Sequence, residues 1–123
     1  MAKILIIDDD NQFRRLCRII LENAGYTDIV EAENGHIGMK LIRNDHFDLV
    51  ITDIIMPDKE GIETIMETRK DFPAIKIIAM SGGGKVGPDN YLVMAGHLGA
   101  GRTLAKPFQQ SELVNAVREL LKE

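Results

Sequence analysis

The chain has 123 residues, one cysteine and a net charge of −4, from 15 basic and 19 acidic side chains. That length suits one domain with a real core and is too short for two. The acidic balance disfavours direct DNA or RNA binding, the lone cysteine excludes an intrachain disulfide, and no apolar run is long enough for a membrane span. The start, Met1-Ala2-Lys3, passes into an apolar run too brief for a signal peptide core, so the chain reads as cytoplasmic.

Ile4-Leu5-Ile6-Ile7 is a wholly apolar run of strand length that ends abruptly in Asp8-Asp9-Asp10. Asn11 is the expected cap of the helix that follows. Phe13, Leu16, Cys17, Ile20, Leu21 and Ala24 recur there at helical spacing, and Gly25 stops the helix. Cys17 lies on that stripe and reads as a packing residue rather than a reactive thiol. A weaker strand is expected around Ile29-Val30. Asn34-Gly35 then turns the chain into a helix carrying Ile37, Leu41 and Ile42, ended by Asn44-Asp45-His46.

Leu49-Val50-Ile51-Thr52-Asp53-Ile54-Ile55-Met56-Pro57 is the third strand, closed by its proline. It is apolar on both faces, as a parallel strand covered by helices on both sides must be. A carboxylate inside such a run is costly unless something pairs with it or coordinates it. Asp53 therefore marks the end of the strand, a site, or both. The loop Asp58-Lys59-Glu60-Gly61 leads to a helix with Ile62, Ile65, Met66 and Arg69, which Phe72-Pro73 terminates.

Residues 75–80 form a fourth strand, followed by Ser81-Gly82-Gly83-Gly84. Pro88 suits the first turn of a helix reaching about Leu98, with Gly96 inside it and Gly99 as its stop. A short fifth strand over 102–106 precedes Pro107-Phe108. Leu113, Val114, Val117, Leu120 and Leu121 then fall on one face of the last helix. Five strands alternating with helices predict an α/β doubly wound parallel sheet with helices on both faces. The chain reads as a single domain that leaves no residues for an effector domain.

Sites in open parallel sheets form at the carboxyl ends of the strands. Asp8 and Asp9 end the first strand, Asp53 the third, Ser81 the fourth and Lys106 the fifth, so the conspicuous polar residues share one edge. In a 2-1-3-4-5 strand order, the order that the resemblance described below implies, the first and third strands are neighbours and three carboxylates meet. Each close pair would cost on the order of 4 kcal/mol at about 4 Å and an effective dielectric of about 20. Protonating one carboxylate relieves that repulsion, and so does a divalent cation. Oxygen ligands without His or Cys favour Mg²⁺. Lys106 adds a compact positive charge on the other side and Ser81 a hydroxyl, a set suited to holding a phosphoryl group, with a carboxylate available as nucleophile. The bland alternative is helix-capping aspartates and a surface lysine, and for Asp10 alone that reading holds well.

Other signals are weaker. Gly82-Gly83-Gly84-Lys85 lacks nucleotide-loop spacing, and Val86 stands where a hydroxyl residue would coordinate Mg²⁺. His36, His46 and His97 have no metal-ligand spacing.

The motifs I-I-D-D-D, D-I-I-M-P with the following D-K-E-G, M-S-G and K-P-F occur in this order at successive strand ends. With them the chain resembles the receiver domain of two-component response regulators over nearly its whole length. The resemblance implies a flavodoxin-like sheet of order 2-1-3-4-5. It implies Asp53 as phosphoacceptor, taking phosphoryl from a histidine kinase or phosphotransfer protein. Asp9, Asp53 and the backbone carbonyl of Ile55 would ligate Mg²⁺ directly, with Asp8 acting through a water. Lys106 would pair with the phosphoryl group, Ser81 would hydrogen-bond it, and Met56-Pro57 would shape the loop after the acceptor.

Two departures stand out. Thr103 occupies a position, three before the lysine, where the family usually has Tyr or Phe, and the stretch from Ser81 to Lys106 is a few residues longer than usual. The extra glycines and Gly96 suggest that the helix within 85–98 moves on activation. Output is expected through protein contacts of the later helices and fifth strand, to an unidentified downstream protein or a phosphorylation-dependent homodimer. No membrane or nucleic-acid partner is expected.

Two rival readings exist. One is a phosphohydrolase using Asp53 as nucleophile; enzymes resembling the haloacid dehalogenase group need a second Asp two residues on as general acid, and here that residue is Ile55. A docking protein with a vestigial pocket would not need the whole residue set. The expected protein is a signalling module that catalyses only its own phosphorylation and dephosphorylation.

Overall fold

A computed structural model describes residues 2–54, 61–82, 93 and 95–122. Its elements are β1 (Lys3–Ile7), α1 (Asn11–Asn23), β2 (Asp28–Ala32), α2 (Gly35–Asn44), β3 (Leu49–Asp53), α3 (Gly61–Asp71), β4 (Lys76–Ser81), β5 (Arg102–Ala105) and α4 (Gln110–Leu121). The strands form one parallel sheet in the order β2-β1-β3-β4-β5, the predicted arrangement. Residues 95–98 are helical and close on Gly99 at φ 120°. The expected helix start at Pro88, the Gly83-Gly84-Lys85-Val86 stretch and the Asp58-Lys59-Glu60 loop lie outside the described residues, as do Ile55, Met56 and Pro57.

Alternation along each strand divides its side chains between the two faces of the sheet. Ile4, Ile6, Leu49, Ile51, Ile78, Met80 and Leu104 pack on Cys17, Ile20 and Leu21 of α1 and on Leu113, Ala116 and Val117 of α4. The other face carries Leu5, Ile7 and Val50 against Met39 and Ile42 of α2, and Ile77 and Ala79 against Ile65 of α3. All five β3 residues are buried. The central strand therefore has no solvent face, and a polar residue can be reached only at its end.

Several local expectations need correction. The helix-capping reading of Asp10 holds and that of Asn11 does not: Asp10 Oδ1 accepts the N–H groups of Gln12 and Phe13 at 3.0 and 3.1 Å. Asn11 Oδ1 instead accepts from Arg14. Leu16, which recurs at the helical spacing of the α1 apolar stripe, is exposed, and so are Ile37 and Met66. The inner face of α3 is built from Gly61, Thr64, Ile65 and Thr68, and α4 buries Ala116 as well as Leu113 and Val117. Gly25 does stop α1, at φ 101°. Cys17 is fully buried, which pushes its thiol pKa up to about 12 and leaves it inert.

Candidate functional site

Sheet register carries four strand ends to one edge. Ile7 pairs with Thr52 and Asp53 with Met80, so Asp8 and Asp53 stand level on adjacent strands. Backbone bonds continue the sheet beyond the paired strand residues. Asp8 N–H donates to the Ala32 carbonyl at 3.1 Å, Ile54 N–H to Met80 at 2.9 Å, and Lys106 N–H to Ser81 at 2.8 Å. These bonds fix the backbone from which the functional side chains project.

Asp8 is fully buried, Asp53 is buried and Asp9 is exposed, with one carboxylate oxygen of each within 4.8 Å of the others. Asp8 is fully engaged. Its Oδ1 accepts the Asp10 N–H at 2.9 Å, and its Oδ2 accepts from Lys106 Nζ at 2.8 Å. Its carbonyl accepts from Arg14 at 2.7 Å. Arg14 is in turn held by Glu31 at 2.9 Å, and Glu31 also pairs with Arg18 at 2.8 Å. Lys106 Nζ reaches Asp53 Oδ1 at 3.5 Å. The lysine is thus not set apart from the carboxylates, as the sequence suggested, but joined to Asp8.

Burial is the main reason that the Asp53 pKa rises from 3.8 to about 6. The charge of Lys106 opposes the rise, while Asp8 and Asp9 add to it. For Lys106, burial alone would lower the pKa, but the Asp8 hydrogen bond and the charges of Asp53 and Asp8 outweigh it, and the net shift is upward. The lysine is therefore a permanent cation, and Asp53 is mostly ionised at neutral pH. Ser81 Oγ is buried and has no hydrogen-bond partner among the described residues. An orphan hydroxyl of this kind costs about 1–3 kcal/mol until a ligand or water satisfies it.

Two glycines let the backbones close around this edge. A Cβ on Gly61 would collide with the Asp53 carbonyl oxygen, and the Gly61 N–H donates to Ile54 at 2.6 Å. A Cβ on Gly82 would lie 2.9 Å from both Cβ and Cδ of Lys106. The lysine stem passes where any larger residue would stand.

Residues 4–118 match the family described as response regulator receiver domain. The chain belongs to this family. Its similarity to the response regulator receiver protein CpdR of Brucella abortus is 32% identity, over 98% of each chain. A receiver domain crystal structure from Methanospirillum hungatei, titled CheY-like, superposes with a TM-score of 0.89 at 30% identity, covering 99% of this chain and 94% of that one. The TrrA structure from Thermotoga maritima, determined in complex with Mg²⁺ and BeF, gives a TM-score of 0.86 at 33% identity, with 98% and 99% covered. Against several other curated relatives, named transcriptional regulatory protein CpxR, the chain spans about half their length. Receiver domains of this family take phosphoryl groups from histidine kinases and serve as signalling modules of two-component systems.

This receiver brings together Asp8, Asp9, Asp53 and Lys106, and places buried Ser81 at the adjacent strand end. Ile55, expected to lend a carbonyl to Mg²⁺, lies outside the described residues. Sequence reasoning missed Arg14, Glu31 and Phe13. Phe13 carries Lys106 Nζ over its ring, 4.0 Å from the centroid. Its spacing from Cys17 on one face of α1 was the available signal.

Proposed function

We propose that Asp53 is the phosphoacceptor of this receiver. An Asp53 carboxylate oxygen attacks phosphorus in a phosphohistidine of a histidine kinase or phosphotransfer protein. A P–O bond forms as the P–N bond breaks, and its electron pair returns to the imidazole. One observation carries the reading: a buried carboxylate, ionised above about pH 6, with a lysine ammonium 3.5 Å away and, at the next strand end, a hydroxyl without a partner among the described residues.

The donor set fits Mg²⁺: three oxygen ligands, two of them buried, with neither His nor Cys in the cluster among the described residues. Asp9 and Asp53 would hold the ion directly, with the Ile55 carbonyl, and Asp8 would act through a water. When bound, the ion would neutralise charge on the phosphoryl oxygens. Lys106 supplies a fixed charge for one oxygen of the incoming group, and Ser81 a hydroxyl donor for another. The resulting acyl phosphate is hydrolysed by water, so the protein turns over only its own phosphoryl group. A cytoplasmic location and a downstream protein partner follow from this reading.

Incubation with acetyl phosphate and Mg²⁺ tests it. A labile modification limited to one phosphoryl group per chain is expected. Continuous phosphate release from a generic phosphomonoester would favour a hydrolase instead.

A further inference from the structure

We propose that Phe13 is a positioning residue for Lys106, holding its ammonium against the two buried carboxylates by covering it with a ring face. The inference rests on the phosphoacceptor reading for its consequence, and on geometry alone for the placement.

Lys106 has three N–H donors on a flexible stem and no intrinsic preference for one direction. Asp8 takes one at 2.8 Å and Asp53 lies at 3.5 Å. The Phe13 ring stands over the ammonium, with its centroid 4.0 Å away. That separation is well inside the range in which an aromatic face attracts a cation. Along the stem, the missing Cβ of Gly82 leaves room where a side chain would intrude. The lysine is confined by charge, by the ring and by backbone.

The ring itself is fixed. Phe108 packs edge-on against it, with centroids 5.7 Å apart and planes at 82°. Phe13 N–H donates to Asp10 Oδ1, and Asp10 N–H donates to Asp8 Oδ1, the carboxylate whose other oxygen binds Lys106. Ring, cap, carboxylate and lysine form one closed circuit. A ring face attracts the cation without consuming an N–H donor. Lys106 can therefore turn from Asp8 toward an arriving phosphoryl oxygen while remaining under the ring.

Three versions of the full chain test this: wild type, Phe13→Leu, which keeps apolar bulk without a π face, and Phe13→Tyr, which keeps the face. In the metal-free protein, NMR signals of the Lys106 ε-methylene should show a ring-current shift in wild type and Phe13→Tyr that Phe13→Leu loses. At saturating Mg²⁺, Phe13→Leu should be phosphorylated by acetyl phosphate roughly tenfold more slowly, within the strength of a cation–π contact. Its Mg²⁺ affinity should be unchanged, and Phe13→Tyr should restore the rate. A Lys106 shift equal in wild type and Phe13→Leu overturns the placement. A wild-type rate in Phe13→Leu, or a slow rate that Phe13→Tyr fails to restore, overturns the positioning role. If wild type takes no phosphoryl group, the phosphoacceptor reading fails and the positioning role with it, while the NMR comparison still decides the placement.

Discussion

Lys106 donates to Asp8 across 98 residues of sequence, tying the end of β5 to the end of β1 at 2.8 Å. The pair is buried on the aspartate side and partly buried on the lysine side. Such a pair adds little by itself, but losing one member leaves a buried charge uncompensated. Lys106→Met should therefore destabilise the metal-free protein by about 3 kcal/mol. Mg²⁺ should recover much of that loss by replacing the missing positive charge. Denaturant melts of both proteins in EDTA and in Mg²⁺ measure this; equal stabilities in EDTA would refute it.

The raised pKa of Asp53 makes stability depend on pH in a stated direction. Between about pH 4 and 6 the folded protein holds a proton that the unfolded chain has released, so this residue's contribution falls as pH rises through that window. Above pH 6 the penalty is present in full, about 3 kcal/mol for a shift from 3.8 to about 6. Asp53→Asn should thus be the more stable protein at pH 7 without Mg²⁺, by about that amount. The advantage should shrink to nothing below about pH 4. Parallel melts across this range check both ends.

Glu31 acts in the opposite direction. Burial would raise its pKa, but hydrogen bonds from Arg18 and Arg14 lower it below 4.5. Its contribution is complete above the unfolded value and is lost as pH falls below it. Glu31→Gln should cost about 1–3 kcal/mol at pH 7, since Arg14 and Arg18 lose a charged partner. It should also weaken the acid-side loss of stability. An acid limb as steep as that of wild type would contradict the network.

Gly61 and Gly82 separate folding from positioning. Gly61→Ala drives a methyl group into the Asp53 backbone, and few chains should fold; low yield and a melting temperature far below wild type are expected. Gly82→Ala meets the Lys106 stem instead of backbone. It should fold, with slower acetyl phosphate labelling, up to about a hundredfold for an ångström of displacement. Equal labelling by Gly82→Ala and wild type would show that the lysine stem has room to spare.

The sheet was legible because parallel strands covered on both faces must be apolar throughout, as Leu5, Ile6, Val50 and Ile51 are. The site was legible because its charges sit where such runs end. Helix faces were less so. Periodicity gave Leu16 the same standing as Ile20, and the apolar patterns passed over Thr64, Thr68 and Ala116, which pack by being small. The sequence offered both Asp10 and Asn11 as caps, and only the oxygen that reaches two free N–H groups decides between them. The lean of Lys106 onto Asp8, the Arg14–Glu31 clasp and the ring of Phe13 depend on distances between elements far apart in sequence. No spacing rule encodes those distances.

Locating the phosphoryl group shows directly whether Asp53 is the acceptor. After acetyl phosphate and Mg²⁺ treatment, borohydride reduction converts an aspartyl phosphate to a stable product that peptide mass spectrometry can map. One modified residue, Asp53, is expected, with no labelling in EDTA or in Asp53→Asn. Modification at another residue, or equal labelling of Asp53→Asn, would contradict this assignment.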